Sequence, residues 1–231
     1  MIPAREGSTR LKYKNLRMLG NKPVIGHVIE SAMASGVFDS VVVNSDNTAF
    51  ANIASRYGAD FYLRPKELGS SETRSDEVII DFMKNHPGDM LAWVNSIAPL
   101  QPAAEISDVV RYFIKEELDS LITVKNEQVH CVYEGRPVNF VAGELFARTQ
   151  DLTPVQPFVY SMMMWRYAAF QENYDRDGFA LMSGKLGYYP VSRQSSIIIK
   201  HEEDLLAAQI YLQSQVGPAM PVEYDPAADE I

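Results

Sequence analysis

The first 125 residues alternate short β-branched runs with amphipathic helical windows, and this alternation narrows the fold more than any other feature of the chain. Ser40–Val43, Met90–Val94 and Ser120–Val124 read as buried strands. Between the strands, Pro23–Ser35 sets Val24, Ile25, Val28, Ile29, Ala32 and Met33 on one stripe, opens on Pro23 and stops at Gly36. Asn47–Tyr57 stops at Gly58, and Thr73–Asn85 turns Val78, Ile79, Phe82 and Met83 inward before Pro87-Gly88. Ser107–Glu117 follows with Val109, Val110, Phe113 and Ile114. Strand–helix–strand at this spacing predicts an α/β fold, a Rossmann-like and mainly parallel sheet with helices on both faces. Ligands of such folds sit at the carboxyl ends of the strands.

Residues 125–170 break the rhythm. Gly135, Pro137, Gly143, Pro154 and Pro157 are interleaved with aromatic and Met residues, which predicts an excursion from the sheet, a small β-rich arm. The core resumes with Phe179–Met182, Leu186–Val191 and Ser195–Ile199, and a last helix spans Glu202–Gln215. Residues 1–216 therefore form one domain, and 217–231 is a tail with three prolines, four acids and no cation. Only Met1-Ile2-Pro3-Ala4 precede the first polar loop, so either the first strand is very short or the natural protein starts upstream.

Composition removes several partner classes. With 21 Lys plus Arg against 30 Asp plus Glu the net charge is −9, which disfavours nucleic acid and anionic lipid. No apolar run approaches a membrane span, and a single cysteine, Cys131, excludes an internal disulfide and fits a reducing cytoplasm.

Against this acidic background, Ala4-Arg5-Glu6-Gly7-Ser8-Thr9-Arg10-Leu11-Lys12-Tyr13-Lys14-Asn15 gathers four cations in ten residues directly after the first strand. Gly7-Ser8 permits a tight turn with backbone N–H groups facing one point, and such amides plus mobile cations suit a polyphosphate. The loop matches neither the dinucleotide G-x-G-x-x-G nor the G-x-x-x-x-G-K-[ST] pattern. A solvated basic loop is the plainer alternative; its position at the ligand edge of the sheet favours binding.

Ile2-Pro3-Ala4-Arg5 with Gly7-Ser8, Lys14-Asn15-Leu16 and Lys22-Pro23 resembles the opening of the CMP-sugar synthetases, the cytidylyltransferases of acylneuraminate and Kdo-type sugars. The resemblance continues through Val41-Val42-Val43-Asn44-Ser45-Asp46, Leu63-Arg64-Pro65-Lys66-Glu67-Leu68, Ser71-Glu72-Thr73 and Glu202-Glu203-Asp204-Leu205, and the acylneuraminate branch fits better. It implies a nucleotide-diphospho-sugar transferase-like fold, CTP as substrate, an acidic keto-sugar as acceptor, magnesium, and a homodimer built by the arm. It also implies that Arg5 and Lys14 serve catalysis; Lys200, where the family holds a metal-binding carboxylate, either joins them near the phosphates or snorkels out beside the helix start. Ala4, Arg5, Gly7, Ser8, Arg10, Lys14, Asn15, Ser71 and Thr73 then hold the nucleotide, and Asn95, Gln101 and His201 lie toward the sugar. Asp46 is either a site residue or a cap on the helix that follows.

Three stretches depart from the family. Asn95-Ser96-Ile97-Ala98-Pro99-Leu100-Gln101 keeps only Pro-Leu of Gln-Pro-Thr-Ser-Pro-Leu-Arg. Ser161-Met162-Met163-Met164-Trp165 replaces an Asn-Gly-Ala pattern, and such a stretch suits core or interface. Ile198-Ile199-Lys200 replaces the Asp-Ile-Asp that binds magnesium in the family; Ile198 and Lys200 offer no oxygen, so no metal ligand is assigned. A non-catalytic nucleotide- or sugar-binding homologue is the rival expectation. Glu202, Glu203 and Asp204 suit the first turn of a helix, His27 reads as packed beside its stripe, His86 sits at a helix end where the dipole favours a cation, and His130 adjoins Cys131 with no second ligand pair at zinc spacing.

Overall fold

The computed structural model describes residues 1–7, 10–215, 224–225 and 228. Seven strands build its centre: β1 (Ile2–Ala4), β2 (Val42–Ser45), β3 (Asp60–Leu63), β4 (Met90–Val94), β5 (Ser120–Val124), β6 (Phe158–Arg166) and β7 (Leu186–Pro190). β1 pairs in parallel with β2, and β2 in parallel with β3. β6 runs antiparallel between β4 and β5, and β7 lies parallel on the far side of β5. Two hydrogen bonds, Met1 N to Ala92 O at 2.8 Å and Val94 N to Met1 O at 3.0 Å, join β1 to β4. The spatial order is thus β3-β2-β1-β4-β6-β5-β7.

Six helices are described: α1 (Val24–Ser35), α2 (Ala49–Arg56), α3 (Ser75–Asn85), α4 (Ala103–Lys115), α5 (Tyr167–Asp177) and α6 (Glu202–Gln215). α1, α2 and α4 bury Ile25, Ile29, Phe50, Ile106 and Phe113 against one face of the sheet. α3 and α5 bury Ile79, Phe82, Met83 and Phe170 against the other. The α/β architecture with helices on both faces is the one the alternation predicts. Among the described residues no helix is long and apolar enough to cross a membrane.

The excursion is shorter than expected. Residues 158–166, placed in the arm by their interruption of the rhythm, form β6. Met162 and Met164 face the α1–α4 layer, while Met163 and Trp165 face the α3–α5 layer. This two-residue period makes the Met-rich run a strand buried on both sides, not exposed arm surface. Trp165 also donates its indole N–H to Leu181 O at 2.9 Å. The remaining excursion, 125–157, contains the hairpin Val132–Tyr133/Arg136–Pro137 and a bridge between Glu127 and Val155. Glu134 and Gly135 both have positive φ (48° and 76°), the turn geometry a two-residue hairpin loop requires. Asn139 staples the excursion by donating to Val129 O and Thr153 O and accepting from Cys131 N.

Two further segments differ. Ser195–Ile199 contributes no strand; Gln194–Ser196 is a 3-10 turn in which the Ser192 and Ser195 hydroxyls bond each other at 3.0 Å. Local hydroxyl bonding of this kind competes with strand pairing. Phe179–Met182 is likewise irregular and is held by Asp76, whose buried carboxylate accepts from Ala180 N at 2.6 Å and Leu181 N at 3.1 Å. The tail assignment falls almost wholly outside the described residues.

Candidate functional site

β1 ends after Ala4, and the chain then passes through the basic loop to a 3-10 turn at Lys14–Leu16. Tyr13 precedes that turn with φ 52° and ψ 35°. This left-handed conformation is uncommon for a residue with a side chain, and it reverses the chain so that Lys14 and Asn15 face back toward the strand ends. There they meet the residues that follow β3 and β4 around a cleft of about 300 Å³. Ala4, Arg5, Lys14 and Asn15 line it from the loop; Ser70, Ser71, Thr73 and Ser75 line it before and at the start of α3. Trp93, Asn95, Ser96 and Ile97 line it from the end of β4. This is the carboxyl edge of the sheet, where the topology brings ligands.

Arg5, Lys14 and Arg64 supply three cations to the cleft lining, and among the described residues no carboxylate lines it. Arg5 donates to Ser70 O at 3.2 Å, tying the basic loop to the α3 approach. Burial first, and then the charges of Arg10, Arg5 and Lys200, hold the Lys14 amine down at about 8. Such a lysine gains strongly from an anion. Three buried polar atoms of cleft residues, Asn15 Oδ1, Arg64 Nε and Trp93 Nε1, have no hydrogen-bond partner among the described residues. Buried polar groups are rarely left unpaired, and three around one cleft mark where a polar ligand completes the structure.

Seven of the sequence-predicted residues therefore gather here: Ala4, Arg5, Lys14, Asn15, Ser71, Thr73 and Asn95. The Thr73 hydroxyl is occupied with Glu67 O at 3.0 Å, and the Asn95 amide donates to Tyr160 O at 2.9 Å. The others lie elsewhere. Gly7 is exposed and outside the lining. Arg10 is exposed but close enough to act on the Lys14 charge. Ser8 lies outside the described residues. Gln101 is buried, donates to Glu105 at 3.3 Å and stands apart from the cleft, because Ala98 O accepts its backbone N–H and turns the chain into α4. His201 is exposed beyond the rim, its backbone N–H on Asp204 at 2.8 Å. Lys200 is held at the rim because Ile199 donates to Ile97 O at 2.8 Å, and Ile97 lines the cleft.

Arg64, Trp93 and Gly69 were not singled out as site residues. Arg64 is buried and donates to Ala4 O at 3.0 Å and to Asn44 O at 3.2 Å, and it pairs with Asp46 at 3.7 Å. It fixes the end of β1 against the end of β2. Its place in the Arg64-Pro65 motif was the available signal. Asp46 pairs with Arg64 and does not cap α2, which starts only at Ala49. Gly69 lets the 3-10 turn at Lys66–Gly69 close on that carboxylate: a Cβ there would stand 2.1 Å from Asp46 Oδ2. Trp93 carried no sequence signal, because one indole in an apolar strand looks like core.

The magnesium implied by the resemblance does not fit these residues. Among the described residues no three His, Cys, Asp or Glu side chains form a group able to hold a metal ion. Three acids on the flanking segments have partners: Asp204 accepts from Lys200 N and His201 N, Glu202 pairs with Arg17, and Glu6 accepts from Asn47 at 2.7 Å. His27, His86 and His130 are packing residues; His27 meets Leu19 O, His86 stacks on Phe82 and His130 on Phe146.

A family profile described as cytidylyltransferase matches residues 1–208. An N-acylneuraminate cytidylyltransferase of Escherichia coli is 40% identical over 108 residues, 47% of this chain and 25% of that protein. A pseudaminic acid cytidylyltransferase of Campylobacter jejuni is 32% identical over 123 residues, 51% of this chain and 53% of that protein. The matches thus span a quarter to about half of these relatives' length. Among solved structures, a CMP:2-keto-3-deoxy-manno-octonic acid synthetase complexed with CTP shares the fold, with a TM-score of 0.70 at 13% identity over 93% of this chain and 98% of that one.

Proposed function

Because the chain belongs to the cytidylyltransferase family, we propose that it binds CTP in the cleft between the 4–15 loop and α3 and transfers CMP to an acidic keto-sugar of the nonulosonic class. The observation that carries this reading is the lining itself: among the described residues, three cations, no carboxylate and three unpartnered buried polar atoms at the carboxyl edge of the sheet. The names of the relatives, which act on acylneuraminic and pseudaminic acids, support the acceptor class.

In the proposed reaction the anomeric hydroxyl of the sugar attacks the α-phosphorus. The bond from the α-phosphorus to the bridging oxygen breaks, pyrophosphate leaves with the electron pair, and the hydroxyl proton passes to solvent. Arg5 and Lys14 hold the phosphates and meet the charge that grows on the leaving group, where a fixed cation needs no reorganisation. Asn15 and Arg64 keep the loop and the end of β1 in register with the phosphates. Ser71 and Thr73 face the nucleoside, and Asn95 the acceptor side. The excursion leaves Val132, Tyr133, Val138, Val141, Leu145 and Phe146 exposed, and we assign that surface to a homodimer.

Incubation with CTP, magnesium and a panel of acidic keto-sugars tests the reading, with pyrophosphate release as the signal. Sugar-dependent pyrophosphate is the expected result. CTP binding without turnover on any of them selects a non-catalytic nucleotide-binding homologue, which the absence of a carboxylate from the lining favours. No CTP binding at all refutes both.

A further inference from the structure

The mismatch between the acidic metal ligands of the family and the rim of this cleft has a chemical consequence. Resting on the CTP reading, we infer that the cleft takes the nucleoside triphosphate as its metal-free anion, with Lys200, Lys14, Arg5 and Arg10 supplying the positive charge that a divalent cation would bring. Four observations converge. The lining holds Arg5, Lys14 and Arg64 and, among the described residues, no Asp or Glu. The Ile199–Ile97 backbone bond seats Ile199 against the cleft wall, with Lys200 following it and Ile198 preceding it. Three carboxylates that flank Lys200 or Arg64 have partners in the protein: Asp204 accepts from the Lys200 and His201 amides, Glu202 pairs with Arg17, and Asp46 pairs with Arg64. Among the described residues no three His, Cys, Asp or Glu side chains form a group able to hold a metal ion.

Charge decides the preference. Near neutral pH a free nucleoside triphosphate carries about four negative charges and its magnesium complex about two. Four cations converging on the phosphates neutralise the free anion fully. They attract the magnesium complex roughly half as strongly, and they repel an incoming divalent ion from the same few ångströms. The Lys14 amine, lowered first by burial and then by the Arg10, Arg5 and Lys200 charges, regains proton affinity when a phosphate lies beside it, and most beside the more highly charged uncomplexed anion. A fixed ammonium neutralises phosphate but cannot also coordinate and orient a sugar hydroxyl, so this arrangement favours retention of nucleotide over rapid turnover.

Calorimetric titration of the full chain with CTP, in excess EDTA and in excess magnesium at matched ionic strength, tests the inference. The expected result is binding in both media, about tenfold tighter in EDTA. Lys200→Gln, an exposed substitution checked by its thermal melt, is expected to weaken metal-free CTP by roughly tenfold and the magnesium complex by less than about threefold. Ile198→Asp with Lys200→Asp is expected to invert the order, so that magnesium strengthens binding. Binding only in magnesium by the unmodified chain overturns the inference and leaves the CTP reading standing. Equal affinity in both media that Lys200→Gln leaves unchanged also overturns it. Absence of CTP binding in either medium refutes the CTP reading itself.

Discussion

The low proton affinity of Lys14 makes nucleotide binding pH-dependent in a window where few other groups of the cleft titrate. Burial and the neighbouring Arg10, Arg5 and Lys200 charges hold the amine at about 8, down from 10.5. For a base whose value is lowered, the neutral form dominates above that pH, and the phosphates of CTP bind the charged form. Bound phosphate pushes the amine back up, so binding takes up a proton at alkaline pH. With the free amine at about 8, the charged fraction falls from roughly nine-tenths at pH 7 to roughly one-tenth at pH 9, and the Kd for CTP rises about tenfold. The last phosphate proton of CTP is lost below this window, so the ligand contributes no slope of its own. Calorimetry at pH 7, 8 and 9 in buffers of different ionisation enthalpy reads both the Kd and the proton uptake. Lys14→Arg, whose guanidinium stays charged throughout, should bind CTP with a flat profile. A flat profile in the unmodified chain, or an equal slope in Lys14→Arg, would refute the assignment of Lys14 to the phosphates.

Three other outcomes follow from the geometry. Trp93→Phe removes a buried donor that has no partner among the described residues; it should leave the melting temperature nearly unchanged and weaken CTP roughly 2–10-fold, the worth of one hydrogen bond, and unchanged affinity would take the indole out of the site. Gly69→Ala drives a Cβ to 2.1 Å from the Asp46 carboxylate, so the Arg64 pair must open; a thermal melt should fall by roughly 3–10 °C, and an unchanged melt would show that the turn yields freely. Leu145→Asp with Phe146→Asp, at residues 97% and 75% exposed, should convert a dimer to a monomer in light scattering at micromolar concentration, whereas a monomeric unmodified chain would contradict the assignment of the arm surface.

The layered architecture was legible because α1, α3 and α4 carry apolar stripes and alternate with short apolar runs at 40–43, 90–94 and 120–124. Val28, Ile29, Phe82 and Phe113 all pack where their spacing places them. The failure at residues 158–166 has a physical cause. A strand buried on both faces shows no polar alternation, and Met162 to Trp165 is also the composition of an interface. The basic loop was legible from four cations in an acidic chain, yet its closing contacts were not. Arg64 reaches back 60 residues to Ala4 O, and Arg5 forward to Ser70 O, so both bonds depend on how the first three strands lie side by side. Gln101 shows the converse: one backbone bond to Ala98 O turns it away from the cleft.

The central claim is that nucleotide phosphates lie against Arg5 and Lys14. A crystal structure of the chain grown or soaked with CTP measures this directly. The account predicts phosphate oxygens within hydrogen-bond distance of Arg5 and Lys14, with Asn15 Oδ1, Arg64 Nε or Trp93 Nε1 newly paired to the nucleotide. CTP in the cavity of about 220 Å³ beside Met1, Ser40 and Met90 at the amino ends of the strands, with the basic loop unliganded, would contradict it.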